Sequence, residues 1–71
     1  MRRFYFDLAD GVTTIRDKEG VEAADLNEAL EAAEAVIQEM RAKGELAHFG
    51  DGWTLSIRLE AGTVLAILPV E

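Results

Sequence analysis

Asp25-Leu26-Asn27-Glu28-Ala29-Leu30-Glu31-Ala32-Ala33-Glu34-Ala35-Val36-Ile37-Gln38-Glu39-Met40-Arg41-Ala42-Lys43-Gly44 is the stretch that decides the fold. At 100° per residue, Leu26, Ala29, Leu30, Ala33, Val36, Ile37 and Met40 share one sector roughly 120° wide, the apolar stripe of a helix laid on a core. Glu28, Glu31, Glu34, Gln38, Glu39 and Arg41 lie on the other side. Asp25 is the expected N-cap, with Glu28 completing a capping-box spacing. Arg41 and Lys43 close the helix in agreement with its dipole, and Gly44 suits the position just past its end. Glu39 and Lys43 form an i,i+4 pair.

Outward from the helix, both flanks read as hairpins. On the N-terminal side, Arg3-Phe4-Tyr5-Phe6-Asp7-Leu8 alternates. Phe4, Phe6 and Leu8 fall on one face and Arg3, Tyr5 and Asp7 on the other, the pattern of a half-buried strand. Asp10-Gly11 is a turn signal, and Val12-Thr13-Thr14-Ile15-Arg16 reads as the returning edge strand. Asp17-Lys18-Glu19-Gly20 is read as a turn and Val21–Ala24 as a lead-in to the helix. On the C-terminal side, Trp53-Thr54-Leu55-Ser56-Ile57-Arg58-Leu59 alternates without a break. Glu60-Ala61-Gly62-Thr63 makes a turn, and Val64-Leu65-Ala66-Ile67-Leu68 is apolar throughout. Pro69 has no N–H, so its position is the strand end or an unpaired edge.

The expected fold is therefore α+β: a four-stranded antiparallel sheet in ββαββ order, strand order 2-1-3-4, with the helix packed on one face. Residues 1–71 form a single domain. The helix stripe is expected on Phe4, Phe6, Leu8, Trp53, Leu55, Ile57 and Leu59. The opposite face should carry Tyr5, Asp7, Thr54, Ser56 and Arg58.

Composition narrows the function. The chain has 71 residues, 49% of them hydrophobic, which suits one folded domain. A chain this short buries only about 60% of its unfolded surface, so its stability is modest. It has no cysteine, which excludes disulfides and thiolate sites and favours a reducing, cytoplasmic home. No run approaches the roughly 20 apolar residues of a membrane span, and Asp7 and Asp10 interrupt any signal-peptide core after Arg2-Arg3. Seven basic residues stand against fourteen acidic ones, a net charge of −7. The basic residues are scattered, unlike the concentrated positive charge that neutralises phosphates. Nucleic acid and membrane are therefore not the expected partners.

No chemistry is spelled out by motif. His48 is the single histidine and sits between Ala47 and Phe49, without the partner a general base needs. Asp17, Glu19 and Glu22 do not match a calcium loop, because Gly20 comes too early and no glutamate follows in register. Glu28, Glu31 and Glu34 wind across the helix back instead of converging. Gly50-Asp51-Gly52 is neither a phosphate loop nor a dinucleotide fingerprint. No catalytic residue, cofactor or metal ligand is expected.

Read together and in this order, Arg3-Phe4-Tyr5-Phe6, Asp10-Gly11, Asp17-Lys18-Glu19-Gly20, Leu26 with Ala29, Trp53, Gly62 and Leu68-Pro69 cover nearly the whole chain. In this combination the chain resembles a small bacterial domain family of unknown function, common in alphaproteobacteria, whose members are little more than this domain. The resemblance implies no activity. Its members often carry histidine where this chain has Asp7, so it implies no catalytic or metal-binding role there.

The expected function is a non-catalytic interaction module, with a homo-oligomer or a protein partner. Val64, Ala66 and Leu68 face one side of the last strand and Leu65 and Ile67 the other, and a two-layer fold can cover only one side. Leu65, Ile67 and Tyr5 are the expected interaction surface. The alternative is a small-molecule-binding or minor enzymatic domain that uses the cleft near the His48 loop and Trp53.

Overall fold

The computed structural model describes residues 2–44 and 52–70. Its elements are β1 (Arg2–Ala9), β2 (Thr14–Ile15), β3 (Val21–Ala23), α1 (Leu26–Ala42), β4 (Thr54–Arg58) and β5 (Val64–Pro69). The architecture is α+β, one helix on an antiparallel sheet, as the periodicities require. The sheet has five strands where four are expected. It runs β2-β1-β4-β5, with β3 also paired to β1.

The departure from a plain 2-1-3-4 sheet lies at β1. Leu8 and Ala9 pair with Ile15 and Thr14 of β2, while Arg2, Arg3 and Phe4 pair with Ala23, Glu22 and Val21 of β3. The expected returning strand over residues 12–16 is thus only two residues long. The lead-in to the helix is itself a strand. Val21–Ala23 offers too short a run for periodicity to declare, and its pairing depends on a partner some twenty residues earlier.

Local chemistry sets the turns as expected. Asp10 Oδ1 accepts from the N–H groups of Val12 and Thr13 at 2.9 and 2.7 Å, and Gly11 takes the positive φ of +93° that the turn needs. The Asp25 side chain caps α1 by accepting from Glu28 N–H at 2.9 Å. At the other end Gly44, at φ +74°, follows the cap residue Lys43. Lys43 Nζ lies 2.9 Å from Glu39 Oε1.

The core forms between α1 and one sheet face. Ala29, Ala33, Ile37 and Met40 are the buried helix residues. Ala29, Ala33 and Ile37 join Phe4, Leu55 and Ile57, the largest fully buried side chains, in one core cluster. Ala29 and Ala33 have no exposed surface; their small side chains let the helix come close to the sheet. Leu26, Leu30, Phe6, Leu8, Trp53 and Leu59 pack partly buried around this centre. Val36, at the margin of the expected stripe, is instead exposed at 38%. Ala23 and Val70 join the core from β3 and from just beyond β5.

Candidate interaction surface

The two outer edges of the sheet differ in chemistry, and both follow from which way each backbone group points. Along an antiparallel strand, N–H and C=O groups turn alternately to the two edges. Phe4 and Leu8 turn toward β3 and β2. Phe6 lies between them and faces the gap that the two short strands leave. Its N–H is satisfied by a side chain: Asp17 Oδ2 accepts it at 3.1 Å. The Asp17 carboxylate takes the place of a missing strand residue.

The loop that carries Asp17 folds over the sheet face opposite α1. Asp17 N–H donates to Asp7 Oδ1 at 2.9 Å. Arg58 Nε donates to Asp7 Oδ2 at 2.5 Å, and Arg58 Nη2 donates to the Asp17 carbonyl at 3.1 Å. The Arg58 guanidinium also sits 4.6 Å from the centre of the Tyr5 ring, within cation–π range. Asp17 Oδ1 accepts from Glu19 and Gly20 N–H groups. Arg3 closes the loop from outside through the Glu19 carbonyl and the Glu22 carboxylate. Strand register brings the pair together: Tyr5 lies opposite Arg58 and Asp7 opposite Ser56.

This cluster is a clamp. Both Asp7 oxygens are occupied, and no buried side-chain nitrogen or oxygen among the described residues lacks a partner. The Asp7 and Arg58 side chains are only 12% and 11% exposed. For Asp17, burial pushes the carboxyl pKa up, but hydrogen bonds from Gly20, Phe6 and Glu19 and the Arg58 charge together hold it below the usual value. Gly20 is required where it stands. Its φ is +74°, and a Cβ there would lie 2.9 Å from the Phe4 carbonyl oxygen and 3.0 Å from Tyr5 Cε2.

At the opposite edge β5 pairs with β4 alone among the described residues. Leu55 lies opposite Leu68, Ser56 opposite Ile67 and Ile57 opposite Ala66, with an irregularity where Arg58 meets Val64. Ile67 therefore shares the face of Ser56, away from α1. Val64, Leu65 and Ile67 are 52%, 37% and 61% exposed.

Of the three expected surface residues, Leu65 and Ile67 are thus at the surface. Tyr5 is not: it is buried under Gly20 and Arg58. The sequence places Asp7 and Arg58 on one face but does not reveal that the Asp17 loop covers them. Opposite charges on one face of two strands are the signal for it. His48 lies outside the described residues, and Trp53 packs half-buried against the core. A groove of about 230 Å³ between α1 and β5 is lined by Glu34, Ile37, Gln38, Arg41, Leu68 and Pro69. It is smaller than the ~300–1,000 Å³ of ordinary ligand pockets. Among the described residues no three His, Asp or Glu side chains gather as a metal site, and no helix is long and apolar enough to cross a membrane.

Fold and surface define a class: a small helix-on-sheet domain with one sheet edge clamped by a polar loop and the other left apolar. The chain belongs to the family described as Domain of unknown function (DUF6894), whose model matches residues 3–71. Comparison with curated proteins and with solved structures finds no match.

Proposed function

We propose that this chain is a non-catalytic, self-associating interaction module of the bacterial cytoplasm, and that β5 is its contact element. The observation that carries the reading is the exposure of Val64, Leu65 and Ile67 side by side on an outermost strand. Exposed edge strands are templates for pairing, and soluble proteins ordinarily blunt them with charge, bulges or cover. Here residues 61–70 hold no charged residue, in a chain of net charge −7. Association through this surface therefore brings no like charges face to face along the strand. The cysteine-free core supports the cytoplasmic part of the reading.

Sedimentation velocity over a micromolar concentration series tests it. The expected result is a concentration-dependent shift from one chain to two. A mass of one chain at every concentration overturns the reading.

A further inference from the structure

Resting on that self-association, we infer that two copies join edge to edge, β5 against β5 antiparallel, about a two-fold axis through Ala66. The backbone directions carry the inference. Val70 N–H donates to the Trp53 carbonyl at 3.0 Å, so Val70 faces β4. By alternation Leu68 and Ala66 face β4 as well, in register with Leu55 and Ile57. Ile67 then turns its N–H and C=O outward. So does the Leu65 carbonyl, which points opposite to the Ala66 N–H across their shared planar peptide. Pro69 also falls on an outward position, so its missing N–H leaves the β4 ladder intact.

An antiparallel pair centred on Ala66 places Ile67 opposite the partner's Leu65, and Leu65 opposite the partner's Ile67. Each Ile67 N–H meets a Leu65 carbonyl, giving two bonds related by the axis. The contact is isologous, as a two-fold dimer requires. Ile67 shares the Ser56 face, away from α1, and Leu65, skipped in the β4 register between Val64 and Ala66, is exposed beside it, so the register also sets each exposed Ile67 next to the second copy's exposed Leu65. The uncharged run 61–70 meets its own copy with no like charges facing each other along the strand. A second copy therefore satisfies both the hydrogen bonds and the apolar face of this edge. The alternative geometry, face-to-face packing of Leu65 and Ile67 with β5 edges unpaired, uses the side chains alone.

Cysteine cross-linking in the otherwise cysteine-free chain separates the two geometries. At Ala66 the two copies form a non-hydrogen-bonded pair with Cα atoms about 4.5 Å apart, inside the ~4.4–6.8 Å reach of a disulfide. The two Ile67 Cα atoms, displaced along the strands, are about 9 Å apart and out of reach. Under mild oxidation the Ala66→Cys chain is expected to form a covalent dimer at micromolar concentration, and the Ile67→Cys chain is not. A second pair of variants reads the backbone directly. Ile67→Pro removes the outward N–H without touching the β4 ladder and should weaken the dimer about tenfold or more, the loss of two hydrogen bonds. Ile67→Thr keeps the N–H, and its dimer should persist more strongly than that of Ile67→Pro. Efficient cross-linking of Ile67→Cys but not Ala66→Cys, or equal dimer affinities for Ile67→Pro and Ile67→Thr, overturns the edge-to-edge geometry while self-association stands. A wild-type chain that sediments as one copy at all concentrations overturns both.

Discussion

Along β1 the outer edge is shared by strands of two and three residues with a polar loop between them; β5 is an outermost strand of six residues without a charge. Both edges begin with the same difficulty, a row of backbone donors and acceptors with no strand beside it. At β1 the chain supplies its own stopper. Asp17 takes the Phe6 N–H, Asp7 takes the Asp17 N–H, and Arg58 neutralises Asp7 from the neighbouring strand. At β5 no polar clamp of this kind is present among the described residues; only Pro69 and the irregularity opposite Arg58 interrupt the edge. The difference separates what holds the domain together from what it offers to others. Substitutions at the first edge should therefore change folding, and substitutions at the second should change association.

The largest expected effect is at Asp7. Asp7→Ala leaves the Arg58 guanidinium nearly buried without its carboxylate, and removing one member of such a pair costs about 3 kcal/mol. A domain of this size has only roughly 0.05–0.15 kcal/mol of stability per residue. The variant should lose a large part of its stability in urea denaturation followed by Trp53 fluorescence. A midpoint close to wild type would show that the clamp contributes little and that the two edges are alike in this respect.

Gly20→Ala should come next, at about 2 kcal/mol. The left-handed backbone disfavours a side chain by ~1–2 kcal/mol, and the added Cβ would press on the Phe4 carbonyl and the Tyr5 ring. Gly11 has a similar φ of +93° but nothing within 4 Å of its Cβ position, so Gly11→Ala should cost less. Comparing the two separates the close approach from the conformational penalty.

These two edges were unequally legible in the sequence. The helix could be read in detail because cap, stripe and terminal glycine all agree over one long stretch. Alternation likewise fixed the faces of β1 and β4, since a period of two is unambiguous over six or seven residues. The exposed row of Leu65 and Ile67 follows from counting faces in a two-layer fold. The clamp was out of reach for a physical reason. Asp17-Lys18-Glu19-Gly20 has the composition of any polar turn, and the acceptor role of Asp17 exists only once β2 and β3 leave Phe6 unpaired between them. Tyr5 was misplaced at the surface by the same omission, because alternation assigns a face but not what lies over it.

Acid should loosen the clamped edge in a defined sense. The Asp17 pKa is lowered in the folded chain, so its contribution is complete above the ordinary aspartate value of about 3.9. As pH falls through that value the unfolded chain takes up the proton first, and stability declines until pH passes the folded value. Asp10, held low chiefly by the Thr13 N–H and then by Val12, acts in the same direction. Urea midpoints should therefore be flat near neutrality and fall below about pH 4. An Asp17→Asn chain should start less stable and show a shallower acid decline; an unchanged slope would mean that other carboxylates govern the acid limb.

The smallest expected effect on stability is at the open edge. Ile67→Lys replaces an apolar side chain that is 61% exposed. Exposed substitutions of this kind usually stay within about 0.5 kcal/mol, and lysine on an edge strand is itself a common protective device. Yet the same change sets a positive charge against its own copy across the two-fold axis, and it removes half of the apolar contact. Its urea midpoint should match wild type while the dimer disappears from sedimentation. That dissociation of effects is the converse of Asp7→Ala. If Ile67→Lys unfolded the domain instead, β5 would be a structural edge like β1, and the division between a clamped edge and an offered one would fail.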